Sequence, residues 1–357
     1  MKKIFSNHYL LLIPFIFLTF YSFLEILSFL ILSKHTGQSD TLKPDYAGGV
    51  SFKENIIAKF PGYAGSLGTD NNGYIHNGNS YRSIQKDSIF IFGGSTIAGI
   101  GSLSNKETIP AQLEKCLREK KVDKQVINVG FPGDYSLQQK HRLFNRVLVK
   151  NNPSHIIFFD GRNDAHYTTF QNYLPFNANF GIWGSLQKGS FDNTKPKLFY
   201  NTSNLAKNSI KLASKVYRNR ILLENEISSK INDNIDKGIH IYNDVGKDVA
   251  IQLNHLNIKF IRILQPTLFV GNKKITESES EFINEYFKRR RLLNNQKKYV
   301  ESINKFYNKA SKIKESYFIN FSDLFDNINS QLYVDTVHYN YLGNRIISKN
   351  ICKLIEE

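Results

Sequence analysis

From residue 88 onward, short apolar runs alternate with stretches of helical spacing. Ser88–Phe92 (SIFIF) is a β-rich run that ends in Gly93-Gly94-Ser95. Ile109–Lys120 follows with apolar residues recurring as on one helix face. Gln125–Val129 (QVINV) predicts a second strand closing at Gly130, and Leu137–Lys150 a helix. His155–Phe159 (HIIFF) predicts a third strand, which runs into Asp160-Gly161-Arg162-Asn163-Asp164. Ile258–Leu264 (IKFIRIL) is the fourth, ending at Gln265-Pro266; Tyr317–Phe321 is the fifth, and a closing helix opens near Tyr341. Strands that are apolar at nearly every position are covered on both faces, as in a parallel sheet. The pattern therefore predicts an α/β fold: a flavodoxin-like three-layer sandwich around a mainly parallel five-stranded sheet. Ligands in such folds bind beyond the carboxyl ends of the strands. Ser95, Gly130 and Asn163 each follow one of those ends.

The N-terminal third breaks this rhythm. Tyr9–Ser33 is a largely apolar run with one charge, Glu25, and about 20 apolar residues cross a bilayer as a helix. The run exceeds the 7–15 residue apolar core of a signal peptide and ends without an Ala-x-Ala-like site. The expectation is an uncleaved N-terminal transmembrane helix within 1–36, with Glu25 reaching water at the outer end. Lys2 and Lys3 favour an internal N-terminus. The protein is then a single-pass membrane protein with its main domain on the extracytoplasmic side. Residues 37–84 carry Pro44, Pro61 and the turn sequence Asp70-Asn71-Asn72-Gly73, and read as a linker and lead-in. The main domain is expected over 85–357, with a helical insertion at about 165–255.

Composition narrows the classes. Hydrophobic residues at 41% and charged residues at 22% of the 357 residues fit a packed globular core. A net charge of +16 permits an acidic polymer, anionic lipid or nucleic acid as partner. Nucleic acid is set aside, because no recognition motif is present and the basic domain is expected beyond a membrane. Two cysteines, Cys116 and Cys352, exclude a disulfide scaffold and a cysteine-based zinc site and allow at most one bridge. No G-x-x-x-x-G-K-[ST] loop occurs, and Gly99-Ile100-Gly101 lacks the third glycine of a dinucleotide fingerprint.

The candidate chemistry sits at the strand ends. A serine hydroxyl is a weak nucleophile that needs an adjacent base, and Ser95 stands on a strand-to-helix turn. In Asp335-Thr336-Val337-His338 a carboxylate three residues before an imidazole can accept its Nδ1 proton, which leaves Nε2 to take a proton from serine. Asn128-Val129-Gly130 and the Asn163 amide offer donors of the kind an oxyanion needs.

Taken together, Ser95 in F-G-G-S-T, Gly130 in N-V-G, Asn163 in G-R-N-D and Asp335 with His338 in D-T-V-H resemble the four blocks of the SGNH/GDSL hydrolase superfamily, in order, over roughly 88–350. The resemblance implies Ser95 as nucleophile, His338 as general base and Asp335 as its orienting carboxylate. It also implies an oxyanion hole from the Ser95 and Gly130 N–H groups and the Asn163 side chain, with no metal or organic cofactor. One departure stands out: the family's usual Gly-Asp-Ser is here Gly93-Gly94-Ser95. Membrane-anchored relatives with Gly-Gly-Ser resemble surface-polysaccharide tailoring proteins. The expected function is thus a serine esterase or deacetylase on acyl esters of a cell-surface polysaccharide or glycoconjugate. O-acyl transfer on the same scaffold and a non-catalytic part in polysaccharide assembly are the alternatives. Arg162 and Gln265 are candidate substrate-binding residues. Tyr167, Phe180 and Trp183 are aromatics that either stack on sugar rings or pack, and His141 and His166 read as surface or structural residues.

Overall fold

The computed structural model describes residues 42–45, 49–60, 62–78, 83–170, 231–289 and 293–356, together with residue 20. Apart from residue 20 the expected anchor lies outside these, as do residues 171–230 of the expected insertion with Phe180 and Trp183. No helix among the described residues is long and apolar enough to cross a membrane. The described residues from 42 onward belong to one unit, Thr41–Ser185 with Asn225–Glu357.

In the lead-in, β1 (Leu42–Asp45) pairs antiparallel with β2 (Gly49–Phe52), and β3 (Ile57–Lys59) with β4 (Ser66–Gly68). Phe52, Ala58, Leu67 and Ile75 join Phe131 of the main domain in a small core. A bridge from Ile75 to Asn128 ties the segment to the sheet. The described part of the lead-in is therefore β-structured and packed, which its proline- and turn-rich composition obscures.

The main sheet contains β5 (Ile89–Gly93), β6 (Val126–Asn128), β7 (His155–Asp160), β8 (Lys259–Leu264) and β9 (Phe318–Asn320), in the order β6-β5-β7-β8-β9. Every neighbouring pair is parallel. Period-two alternation sends successive side chains to opposite faces. Ile89, Ile91, Ile157, Phe159, Ile261 and Ile263 pack on one side against α2 (Ile109–Glu119) and α8 (Tyr341–Glu356). Phe90, Phe92, Ile156, Phe158 and Phe260 face α3 (Ser136–Arg142) and α5 (Ile231–His255) on the other. This is the three-layer arrangement that the apolar runs predict. The short α1 (Ser95–Ala98) and α4 (Arg162–Phe170) start directly beyond β5 and β7.

Two details differ from the sequence expectation. The helix expected over Leu137–Lys150 is α3 followed by a π-helical turn at Leu143–Val147. Between the fourth and fifth strands lie two helices that the strand pattern leaves unassigned, α6 (Glu277–Arg289) and α7 (Gln296–Ala310). They bury Phe287, Tyr299, Ile303 and Phe306 against Ile235 and Tyr242 of α5 in a third cluster. Cys116 on α2 and Cys352 on α8 form a disulfide with Cα atoms 6.3 Å apart, joining residues 236 positions apart on one face of the sheet.

Candidate active site

β5 delivers Ser95 to the rim of the sheet. The chain turns at Gly94, and α1 starts at once, with the Ala98 N–H donating to the Gly94 carbonyl at 3.1 Å. At the first position of a helix the Ser95 N–H has no intrahelical acceptor.

The loop between β9 and α8 brings the second half of the site. Its base is held by an antiparallel bridge between Tyr333 and Tyr339, with Val334 N–H donating to the His338 carbonyl at 2.9 Å. At its tip Asp335 Oδ1 accepts from the Val337 and His338 N–H groups, each at 2.7 Å. Asp335 Oδ2 lies 2.6 Å from His338 Nδ1, and His338 Nε2 lies 2.6 Å from Ser95 Oγ. With Nδ1 protonated against the carboxylate, Nε2 is left to accept the serine hydroxyl proton. Burial alone would raise the Asp335 pKa. The neighbouring imidazole, its hydrogen bonds and a tyrosine hydroxyl outweigh that and hold the carboxyl well below its usual range. The side chains of His338 and Asp335 keep 13% and 31% of their surface in solvent.

The oxyanion candidates are arranged less simply. Asn163, in the first turn of α4, donates through Nδ2 to the Asp134 carbonyl at 2.7 Å, which leaves one amide hydrogen unspent. A β-carbon at position 94 would stand 2.5 Å from that nitrogen. Asp134 is itself held by a buried ion pair with Arg142 at 2.6 Å. The Gly130 N–H donates to Asn128 Oδ1 at 2.9 Å, and the Asn128 amide donates to the Ile97 carbonyl. The Gly130 donor is thus engaged within the protein, whereas the resemblance implies an open one.

Arg162 is enclosed among aromatic side chains instead of facing the Ser95–His338–Asp335 group. It is 3% exposed, donates to the Tyr299 hydroxyl at 2.8 Å, and lies over the rings of Phe269 and Tyr299 at 5.7 and 5.9 Å. Adjacent helical residues point in different directions, which separates Arg162 from Asn163. Gln265 is buried at the end of β8 and makes no hydrogen bond to the Ser95–His338–Asp335 group; its N–H donates to the Asp160 carbonyl. His166 lies 3.0 Å from the Tyr299 hydroxyl, and Tyr167 packs on Tyr135. Among the described residues no group of three or more His, Cys, Asp or Glu is placed to hold a metal ion.

One residue beside the triad-like group carries no sequence signal. Tyr63, in the loop between β3 and β4, donates its hydroxyl to Asp335 Oδ2. The same oxygen is 3.0 Å from His338 Nδ1, and the ring stands edge-on to the imidazole.

Comparison with known proteins finds a family and several similar solved structures. A family model described as GDSL-like lipase/acylhydrolase matches residues 89–351. No curated protein sequence matches. Similar solved structures include the acetyl xylan esterase AlAXEase, at 17% identity, 75% of this chain, 99% of that chain and a TM-score of 0.38. The acetylxylan esterase Axe2 from Geobacillus stearothermophilus matches at 14% identity, 77% and 96% coverage and a TM-score of 0.38. A lipase/acylhydrolase from Enterococcus faecalis matches at 16% identity, 76% and 96% coverage and a TM-score of 0.36.

Proposed function

Because this chain belongs to the GDSL-like lipase/acylhydrolase family and is thereby an acyl ester hydrolase, we propose that Ser95, His338 and Asp335 carry out the hydrolysis through an acyl-enzyme. The 2.6 Å contact between Ser95 Oγ and His338 Nε2 is the observation that carries this reading. Ser95 Oγ attacks the ester carbonyl as Nε2 takes its proton; Asp335 keeps the imidazole in the required tautomer and stabilises the imidazolium. The tetrahedral oxyanion is held by the Ser95 N–H and the free Asn163 amide hydrogen, each such donor worth about 3–4 kcal/mol of barrier. The Gly130 N–H is spent on Asn128 Oδ1 and is not counted among these donors. Collapse breaks the ester C–O bond and the alcohol leaves with the proton from His338. Water then attacks the acyl carbon, His338 takes its proton, and the acid departs as Ser95 recovers its own.

The substrate we propose is an acyl ester, foremost an acetyl ester, on a cell-surface polysaccharide or glycoconjugate. Two features support an extracytoplasmic setting. The N-terminal apolar run suits an anchor, and the Cys116–Cys352 disulfide suits an oxidising compartment.

The test is to label the full chain with a fluorophosphonate and locate the adduct by mass spectrometry, alongside release of acetate from p-nitrophenyl acetate and an acetylated glycan. The expected result is one adduct on Ser95 and turnover that Ser95→Ala abolishes. Modification elsewhere, or turnover that survives Ser95→Ala, would overturn the assignment.

A further inference from the structure

We propose that Tyr63 is a positioning residue of this site, a phenol supplied by the lead-in segment that holds the Asp335–His338 pair in register with Ser95. The inference rests on the triad reading above and extends it to a residue 272 positions away from Asp335.

The carboxylate of Asp335 is saturated on both oxygens. Oδ1 takes two backbone N–H groups. Oδ2 takes the imidazole Nδ1–H and the Tyr63 O–H. The phenol oxygen keeps lone pairs directed toward His338 Nδ1 at 3.0 Å, so Nδ1–H lies between two acceptors. The ring stands against the imidazole with centroids 5.4 Å apart and planes at 79°. A hydroxyl and an edge-on ring contact thus restrain His338 about both its hydrogen bond and its plane.

The placement is built in. Tyr63 N–H donates to the Phe60 carbonyl at 3.1 Å, closing a turn. Two residues on, a β-carbon at Gly65 would lie 1.9 Å from the Ser102 carbonyl, so backbone meets backbone there and only glycine fits. Ser102 follows α1, the helix that Ser95 opens. The loop carrying Tyr63 and the turn after the serine are therefore packed as one body.

Burial, then the charge of Asp335 and the hydrogen bond to it, push the phenol's pKa up, against a smaller opposing effect of Arg289 at the end of α6. Tyr63 stays protonated, and so a donor, at any working pH. Among the described residues, Asp335 and Arg289 are the charged groups that act on it.

A donor on Oδ2 draws charge from the carboxylate that His338 uses. Tyr63→Phe removes that donor and keeps the ring. In the full-length protein this variant is expected to lower kcat about tenfold, as loss of a hydrogen bond to a charged group does, with KM within about twofold. The acid limb of its kcat/KM profile is expected to move to higher pH, because an unshared carboxylate stabilises the imidazolium better. The His338 Nδ1 proton, read by NMR, is expected to shift downfield as its bond to Asp335 shortens. Tyr63→Ala, with the ring also gone, is expected to lose more; an unchanged melting temperature for Tyr63→Phe excludes a folding effect. Active wild type with a Tyr63→Phe variant identical in kcat, acid limb and proton position would overturn the inference. Inactive wild type would overturn the hydrolase reading instead, and the proton position alone would then decide: a moved signal supports the role of Tyr63, an unmoved one ends it.

Discussion

Asn163 places its side-chain nitrogen where a β-carbon on Gly94 would stand, 2.5 Å away. The amide is fixed there by the Asp134 carbonyl. The glycine that replaces the family's usual aspartate before the serine is thus matched to the position of a proposed oxyanion donor. Gly94→Ala, and equally Gly94→Asp, is expected to push the amide aside and lower kcat by about 10²-fold or more, in the range for losing one oxyanion donor. Steady-state kinetics with a small acetyl ester, beside a melting curve that stays put, checks this. Restored or improved activity in Gly94→Asp would show that the amide and the residue at 94 are independent.

Asp335 supplies a second expectation. Its carboxyl is held in the ionised form by the imidazole and by hydrogen bonds, so Asp335→Asn replaces an acceptor with an amide that favours the wrong imidazole tautomer. The loss in kcat is expected to be on the order of 10³–10⁴, with the fold intact, as for the analogous change in a Ser-His-Asp triad. Sensitivity to fluorophosphonate is expected to fall in parallel. A loss of tenfold or less would mean that the carboxylate does not orient the base.

Much of this arrangement is readable from local pattern, and what escapes has a physical cause. Ser95, Asn163 and the Asp335–His338 pair lie just past strand or loop boundaries that apolar runs and turn residues mark. The central strands show because both faces of the sheet are covered, which makes their runs largely apolar. Tyr63 does not show, because its partners lie 272 and 275 residues away and a single tyrosine in a turn-rich segment has no periodicity. Arg162 misleads for a related reason: its neighbour in sequence faces the site, while its own guanidinium is enclosed by Tyr299 and Phe269, which come from distant elements. The Gly130 N–H depends on the Asn128 side chain two residues earlier, a choice of hydrogen-bond partner that residue type leaves open.

The Cys116–Cys352 bridge ties α2 to α8 across 236 residues. Cys116→Ser with Cys352→Ser is expected to cost about 2–4 kcal/mol of stability while leaving kcat unchanged at a temperature where the variant is folded. Denaturant unfolding with and without reductant measures it. Loss of turnover in the folded variant would tie the bridge to the site and not only to stability.

Stability is expected to fall with acid partly through His155, at the start of β7. Burial, helped by the charges of Lys124 and Lys259, lowers its pKa to about 4, below the roughly 6.5 of an unfolded histidine. Below pH 6.5 the unfolded chain binds a proton that the folded chain refuses. The stability difference is therefore fully present above about pH 6.5 and is lost as pH falls toward about 4. His155→Gln is expected to flatten this part of the profile. Urea midpoints at pH 7.5 and 4.5 test it, and an unchanged slope in the variant would assign the effect to other groups.

Glu279 is expected to link stability to chemistry. It is 0% exposed in the first turn of α6, with Lys273 at 2.7 Å. Its Oε2 also accepts from the Thr276 N–H and hydroxyl, and its Oε1 from the N–H groups of Leu332 and Tyr333. Those last two residues open the loop whose tip carries Asp335 and His338, so one buried carboxylate fastens the base of the loop to α6. Glu279→Ala leaves the Lys273 ammonium buried without its partner and four donor groups unmet. Breaking a buried pair in this way costs about 3–5 kcal/mol. Glu279→Gln keeps the shape and an acceptor for the Leu332 and Tyr333 N–H groups but not the charge. The expectation is a smaller stability loss for Glu279→Gln than for Glu279→Ala. At a temperature where both are folded, kcat should fall in Glu279→Ala and hold near wild type in Glu279→Gln, because register of the loop, and not charge at α6, sets the distance between His338 and Ser95. Equal kcat in the two variants would remove the loop's anchorage from the account of the site.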